Sequence, residues 1–317
     1  MDSDRPSHPV RHHRLRRALG AMLLALGLAA AGVSAPARAE PPMWVVRDAD
    51  STIYLFGTAH LLDPSIEWRT ERVQKALDDA TQLWVEIAIP PGGELQMAMA
   101  MLQRALSPDK PLSSQLTEAE QKQLRKLLAR LPDGAALGMV IESTKPWFAT
   151  VLLGTAPLMA AGYDAQAGAD MVLMRVAREQ GDEVLGLETA EQQIEWLASA
   201  PEEEQLAALK RLLAIPEDEF DASIREMDEA VRAWMKGDPK PLEKVGEAWR
   251  TGQDSALSAA TSYEQMIVRR NENWAEQIEK LMAGSGVAFV AVGAGHLVGP
   301  DSLQEKLKAR GLRVTRH

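Results

Sequence analysis

The chain has 317 residues, with 35 basic against 45 acidic side chains for a formal net charge of −10, and no cysteine. An acidic balance of that size opposes nucleic acid and anionic membrane surfaces as partners. The lack of cysteine excludes disulfide staples, thiol nucleophiles and zinc–thiolate sites, so the fold must rest on its core alone.

The first element in chain order is a leader. Arg11, Arg14, Arg16 and Arg17 precede an apolar, uncharged run from Ala18 to Val33, and Ala37-Arg38-Ala39 offers a small-residue cleavage site before Glu40. This reads as a secretory signal over residues 1–39, removed on export to the periplasm of a Gram-negative cell or to the medium. Its apolar run falls short of the roughly 20 residues a membrane span needs, so no stable anchor is expected. Cleavage would remove six basic and two acidic side chains, deepening the net charge to −14 and leaving residues 40–317 as a single domain.

Trp44-Val45-Val46 and Ser51 to Phe56 predict a β-hairpin turned at Asp48-Ala49-Asp50. Asp63-Pro64 is a helix-start signal, and Ile66, Val73, Ala76 and Leu77 space a helix over about 65–80. Gln82 to Ile89 predicts a buried strand with one charge, Glu86. Residues 93 to about 180 read as mostly helical. Thr117 and Glu120 form a capping box there, Pro132-Asp133-Gly134 interrupts, and Lys145-Pro146 opens a helix that ends near Gly162. A glycine-bearing loop, Gly162 to Asp170, leads into a helix from Met171 to Gln180, with Asp170 read as its N-cap.

Glu183 to Leu187 predicts a short strand closed by Glu188, before a second capping box at Thr189 and Gln192. From Pro201 to Met282 the chain reads as helical and acidic, its glutamate clusters being solvated faces and helix N-termini. A strand over 287–292, a helix capped by Ser302 and Glu305, and a strand over 313–315 complete the chain. Strands gather at the two ends. The fold class is therefore α/β, a mixed sheet formed from N- and C-terminal strand units with a large helical insertion over about 93–282.

Two stretches share one formula. Gly57-Thr58-Ala59-His60-Leu61 and Gly293-Ala294-Gly295-His296-Leu297 each follow an apolar run and each carry proline further on. Of six histidines, three lie in the leader and one is the C-terminal residue, so both remaining copies sit in this frame. In open α/β sheets ligands bind beyond the carboxyl ends of strands, where a glycine permits a tight turn. Each histidine is expected to project from a strand end, and adjacent strands would bring the two to one mouth. Imidazole there suits metal ligation, proton transfer or charge stabilisation. Glu86, in an apolar strand, requires pairing or coordination if it is ionised. Glu188 stands at a strand mouth as well. The sequence contains no His-Glu-x-x-His, P-loop or Gly-x-Ser-x-Gly, and the spacing around Gly293, Gly295 and Gly299 does not suit a dinucleotide loop.

Phe56-Gly57-Thr58-Ala59-His60 and Val292-Gly293-Ala294-Gly295-His296-Leu297 resemble the TraB/GumN family, together with Trp84-Val85-Glu86, Gly186-Leu187-Glu188-Thr189 with Gln192, and Arg269-Arg270-Asn271. That family lies within a superfamily of Tiki-type proteases, erythromycin esterases and ChaN-like haem-binding lipoproteins. The resemblance runs from Met43 to Val314. It implies one active cleft formed by the two ends, with His60, His296 and Glu86 at its polar centre and Arg269 and Asn271 lining it.

Four readings follow. The first is an exported metal-dependent hydrolase, peptidase-like, with a divalent ion (zinc, manganese or cobalt) on His60, Glu86 and His296. Glu188 would then be the general base and Arg269 the oxyanion stabiliser. The second is a metal-free hydrolase of esterase type, with one histidine as general base and the other oriented by Glu86. The third is a haem- or cofactor-binding protein, and the fourth an interaction protein whose acidic helices face a partner.

Overall fold

Asp48 accepts hydrogen bonds from the backbone amides of Asp50 and Ser51, at 3.2 and 2.8 Å, and so reverses the chain after the first strand. Strands β1 (Met43–Arg47) and β2 (Ser51–Thr58) pair antiparallel across this turn, with Met43 opposite Phe56. A computed structural model describes residues 40–252 and 262–317. Residues Glu40–His317 form one compact unit, and the leader read over residues 1–39 lies outside the described residues.

The helix expected over 65–80 is shorter. Asp63 caps only a turn, accepting from the Ser65 amide at 2.9 Å, while Thr70 accepts from the Val73 amide and starts α1 (Glu71–Asp78). Strand β3 (Gln82–Ile87) stops short of Ile89 because Pro90 and Pro91 follow, and neither can donate to a ladder. The insertion then supplies α2 (Glu94–Ala105), α3 (Glu118–Ala129), α4 (Gly134–Glu142), α5 (Pro146–Ala160) and α6 (Ala169–Gln180). Helix α6 begins two residues before Met171, with Gly168 at its N-cap. Asp170 is thus inside the first turn, and its N-cap reading is corrected.

Gly181, at φ 85°, ends α6 and delivers the chain to β4 (Glu183–Glu188). Then come α7 (Ala190–Ala198), α8 (Glu202–Ala214), α9 (Glu217–Met235), α10 (Lys240–Arg250) and α11 (Arg270–Met282). Both expected capping boxes are present, at Thr117 with Glu120 and at Thr189 with Gln192. Strand β5 (Gly286–Gly293), a 3₁₀ turn over Ala294–Leu297, α12 (Leu303–Ala309) and β6 (Val314–Arg316) complete the order. Ser302 is the N-cap of α12, but its side chain makes no capping hydrogen bond.

The six strands form one mixed sheet in the order β4-β3-β5-β2-β1-β6. The neighbours β4, β3, β5 and β2 run parallel, whereas β1 is antiparallel to both β2 and β6. Strand β5, near the end of the chain, lies between β2 and β3 from its beginning. The two ends therefore share one sheet, as expected. Phe56, Phe289, Leu55 and Val290 are buried in the main core, together with Trp234 from α9 and Trp274 and Ile278 from α11. The insertion has a second core around Leu112, Leu153, Leu209 and Phe220, and a third around Trp147, Phe148 and Ile194. Its helices thus pack on one another as well as on the sheet. Among the described residues no helix is long and apolar enough to cross a membrane.

Candidate active site at the strand mouths

Four parallel strands end at one edge, and each brings a part of the site. His60 follows β2, Glu86 is near the end of β3, Glu188 closes β4, and Gly293 leads from β5 into the turn that carries His296. The two imidazoles converge on one carboxylate oxygen. Nε2 of His60 is 3.8 Å and Nε2 of His296 3.9 Å from Oε1 of Glu86. The Gly293 amide donates to the same oxygen at 2.7 Å. A Cβ on Gly293 would lie 3.1 Å from that oxygen and 3.5 Å from His60 Nε2. Glycine leaves the three groups room to meet.

The repeated formula conceals a difference. In the β2–β5 ladder Gly57 pairs with Val292 and Thr58 with Gly293, so the two motifs are offset by one residue. Gly57 meets α9 instead of the site. The Trp234 indole donates to its carbonyl at 3.2 Å, and a Cβ there would fall 2.2 Å from the ring. The histidines differ accordingly. His60 projects from its strand end as expected, with 55 % of its side-chain surface exposed. His296 does not, because the 3₁₀ turn folds it inward to 5 % exposure against the Trp274 ring.

Below the mouth is a buried charge cluster centred on Arg270. Its Nε and Nη2 donate to Glu188 at 2.8 and 3.1 Å, and Nη2 also donates to Glu86 at 2.6 Å. Nη1 donates to His296 Nε2 at 3.1 Å and to the Met266 carbonyl at 3.4 Å. All five N–H groups of the guanidinium are used. Burial alone would raise Glu86, but Arg270, the two imidazoles and the Gly293 amide hold its carboxyl well below the usual range. Burial raises the Glu188 carboxyl despite Arg270.

Asn271 fixes the tautomer of His296. Its Nδ2 donates to the carbonyls of His296 and Asp301, at 3.1 and 2.8 Å, so its Oδ1 is the atom facing His296 Nδ1 at 2.7 Å. Nδ1 must then carry the proton, leaving the Nε2 lone pair to accept from Arg270. Burial lowers the pKa of His296 to about 3, with Glu86 opposing and Arg270 assisting, so the ring is neutral at physiological pH.

His60 is positioned by the loop before α6. Leu62 and Asp164 exchange backbone hydrogen bonds at 3.3 and 2.9 Å, and the Ala169 amide donates to the Ala59 carbonyl at 3.0 Å. Gly168 packs so closely that a Cβ would lie 2.4 Å from the His60 carbonyl oxygen. This clamp sets His60 Nδ1 3.3 Å from Asp170 Oδ1, a buried oxygen that accepts no hydrogen bond. Desolvation at the mouth would lower the imidazole pKa, but the charge of Asp170, reinforced by Glu86, pushes it up to about 9.

Several expected roles change. Arg269 points away, 59 % exposed and paired with Glu264 at 3.4 Å. Its neighbour Arg270 enters the site, because successive helical residues point about 100° apart. A π-turn over Glu264–Arg269 immediately precedes it. Asn271 holds His296 and does not line the cavity. Glu188 is taken up by Arg270 and faces a second cavity of about 600 Å³, not the one beside His60. The ligand set His60, Glu86 and His296 does meet, but it does not fit a metal ion. The lone pair of His296 already accepts from a guanidinium, whose charge would repel a cation. Among the described residues no group of three or more His, Asp or Glu side chains is arranged to hold one. Arg270 has no role from sequence, and Asp170, weighed there as a third carboxylate that could complete the site, reads as an N-cap in preference. An adjacent arginine pair gives no signal of which member turns inward, and an aspartate beside a helix start has the local form of a cap.

The chain is 24 % identical over 272 residues to the uncharacterised protein YbaP of Escherichia coli (strain K12), covering 84 % of this chain and 92 % of that protein. It is 23 % identical over 281 residues to an uncharacterised protein of Treponema pallidum (strain Nichols), covering 86 % and 82 %. No solved structure matches. The family model of the TraB/PrgY/gumN family matches residues 42–316, from the first strand of the sheet to the last, and the chain belongs to that family.

Proposed function

We propose that this protein is an exported hydrolase of carbonyl substrates in which His60, supported by Asp170, is the general base and no resident metal ion is used. The observation that carries this reading is the position of His60. Its ring stands at the edge of a cavity of about 480 Å³, with Asp170 on one nitrogen and Glu86 Oε1 3.8 Å from the other. A span of 3.8 Å between His60 and Glu86 is one that a water can bridge.

In this mechanism the water oxygen adds to the carbonyl carbon while one of its protons passes to His60 Nε2. The tetrahedral adduct collapses, the bond to the leaving oxygen breaks, and His60 returns the proton to that oxygen. Asp170 and Glu86 stabilise the imidazolium that forms, and the raised pKa of His60 expresses the same stabilisation. Arg270 has no free N–H for substrate. It pins Glu86 and neutral His296 in place. The metal-dependent peptidase reading is less well supported, because it needs a lone pair on His296 that Arg270 occupies. Export is supported by the leader composition.

The test is turnover of a panel of esters and peptides by the purified protein after exhaustive chelation. Full activity that is lost in His60→Ala is expected. Activity that vanishes on chelation and returns with added zinc would overturn the metal-free mechanism, and undiminished activity in His60→Ala would overturn the assignment of the base.

A further inference from the structure

The cavity beside His60 has an ionisable cluster at its base and a few polar groups at its rim, with aliphatic walls between them. Its base is formed by His60, Glu86, Arg270 and His296, whereas its walls come from the insertion. Leu158 on α5, Met227 and Val231 on α9, Leu242 and Val245 on α10, and Ile267 before α11 face the space. The charged and phenolic groups at its rim are paired within the protein, while the Thr58 hydroxyl is a buried oxygen without a partner. Arg250 donates to both Glu247 oxygens at 2.8 and 2.7 Å, and Tyr263 bonds Asp301 at 3.4 Å. A peptide strand entering here would bury most of its backbone N–H and C=O groups against these aliphatic walls, with Thr58 Oγ1 the one buried, unpaired side-chain oxygen among the described lining residues. An aliphatic chain has no such groups and gains by leaving water. The volume, about 480 Å³, is within the range of small-molecule sites.

Gly246 supports the same conclusion. It lies inside α10, where glycine is about 1 kcal/mol worse than alanine. A Cβ there would only touch Val298 at 3.4 Å, so close packing does not demand the glycine. Its absent side chain instead enlarges the cavity. Methionines on the wall, Met227 among them, adapt to a flexible guest.

We infer that the cavity holds the aliphatic acyl chain of an ester, with the ester carbonyl against His60 and the chain running between α9 and α10. This rests on the hydrolase reading above and names its substrate class. The experiment has two arms on the full chain. Hydrolysis of p-nitrophenyl acetate, butanoate and octanoate is measured, and binding of acetate, butanoate and octanoate is read by displacement of cis-parinaric acid fluorescence. Octanoate is expected to displace the probe at least tenfold more tightly than butanoate, since each buried methylene adds to binding. The kcat/KM for the octanoate ester should exceed that for the acetate ester by a similar factor.

Gly246→Leu and Val231→Phe, fillings from two helices, should each abolish the binding preference, with unchanged circular dichroism confirming the fold. Chain-length-independent binding and hydrolysis in the parent protein would overturn the acyl assignment while leaving the hydrolase standing. Chain-length-dependent binding without hydrolysis of any ester would sustain the acyl cavity and remove the hydrolase.

Discussion

Replacing Arg270 by methionine isolates the largest electrostatic commitment in the protein. Methionine fills similar space but leaves Glu86 and Glu188, whose side chains are only 7 and 6 % exposed, without their shared cation. Removing one partner of a buried pair costs about 3–5 kcal/mol, because the remaining charge is uncompensated. For a domain of this size that lowers Tm by on the order of 10 °C. The sign with pH is fixed. In the variant the buried carboxyls have folded-state pKa values above their unfolded ones, so the folded state binds protons more readily and the loss grows as pH rises. Each carboxyl that titrates adds about 1.4 kcal/mol per pH unit until both are ionised. Urea unfolding at pH 5.5 and pH 8 measures this directly. Adding Glu86→Gln and Glu188→Gln to Arg270→Met should recover part of the loss at pH 8, since the orphaned charges disappear. A loss below about 1 kcal/mol at pH 8, or one equal at both pH values, would refute the claim that Arg270 neutralises two buried carboxylates.

Turnover should rise with pH through neutrality and level off above about 9, the pKa of His60. Asp170→Asn should move that limb to lower pH while lowering the plateau, and a pH–rate profile of both proteins decides it. The parent protein should lose stability as pH falls from 6.5 toward about 3, because the depressed His296 disfavours a proton the unfolded chain accepts, and Glu86 adds to the loss at the acid end. Urea midpoints that stay constant over that window would contradict it. Gly293→Ala, with φ −50° at that residue, should fold but lose activity at least tenfold. Gly57→Ala should instead destabilise by about 1–3 kcal/mol through its clash with Trp234. Calorimetry and kinetics on the pair separate the two roles. Arg269→Ala should stay within about 0.5 kcal/mol of the parent in stability, as an exposed residue.

Much of this fold was legible in the sequence because local chemistry agreed with the final structure. Asp48 turned the hairpin, Thr117 and Thr189 capped their helices, and the apolar runs before Gly57 and Gly293 became adjacent parallel strands. The meeting of His60, Glu86 and His296 was legible for the same reason, since all three lie at or just beyond strand ends. What was not legible depended on rotation and register. Whether Arg269 or Arg270 turned inward was set by the phase of the π-turn and α11, and the chain spells the two alike. Asp63-Pro64 has the local form of a helix start but makes only a turn, because the chain is held there by the Leu62–Asp164 bridge. The one-residue offset between the motifs exists only in the ladder, so the same four letters could not reveal that one histidine is fixed and the other accessible.

The placement of β5 bears on how the protein is made. Until Gly286–Gly293 has left the ribosome, β2 and β3 have no strand between them, and β1 with β2 and β3 with β4 are merely separate pairs. Isolated two-stranded pieces are marginal in water, and contacts between distant parts of a chain form slowly. The sheet should therefore stay incomplete until synthesis is nearly over, then close in one cooperative step that joins both halves and brings the two histidine motifs together. Under the export proposed above, such late closure would keep the chain pliable for passage through a translocation channel.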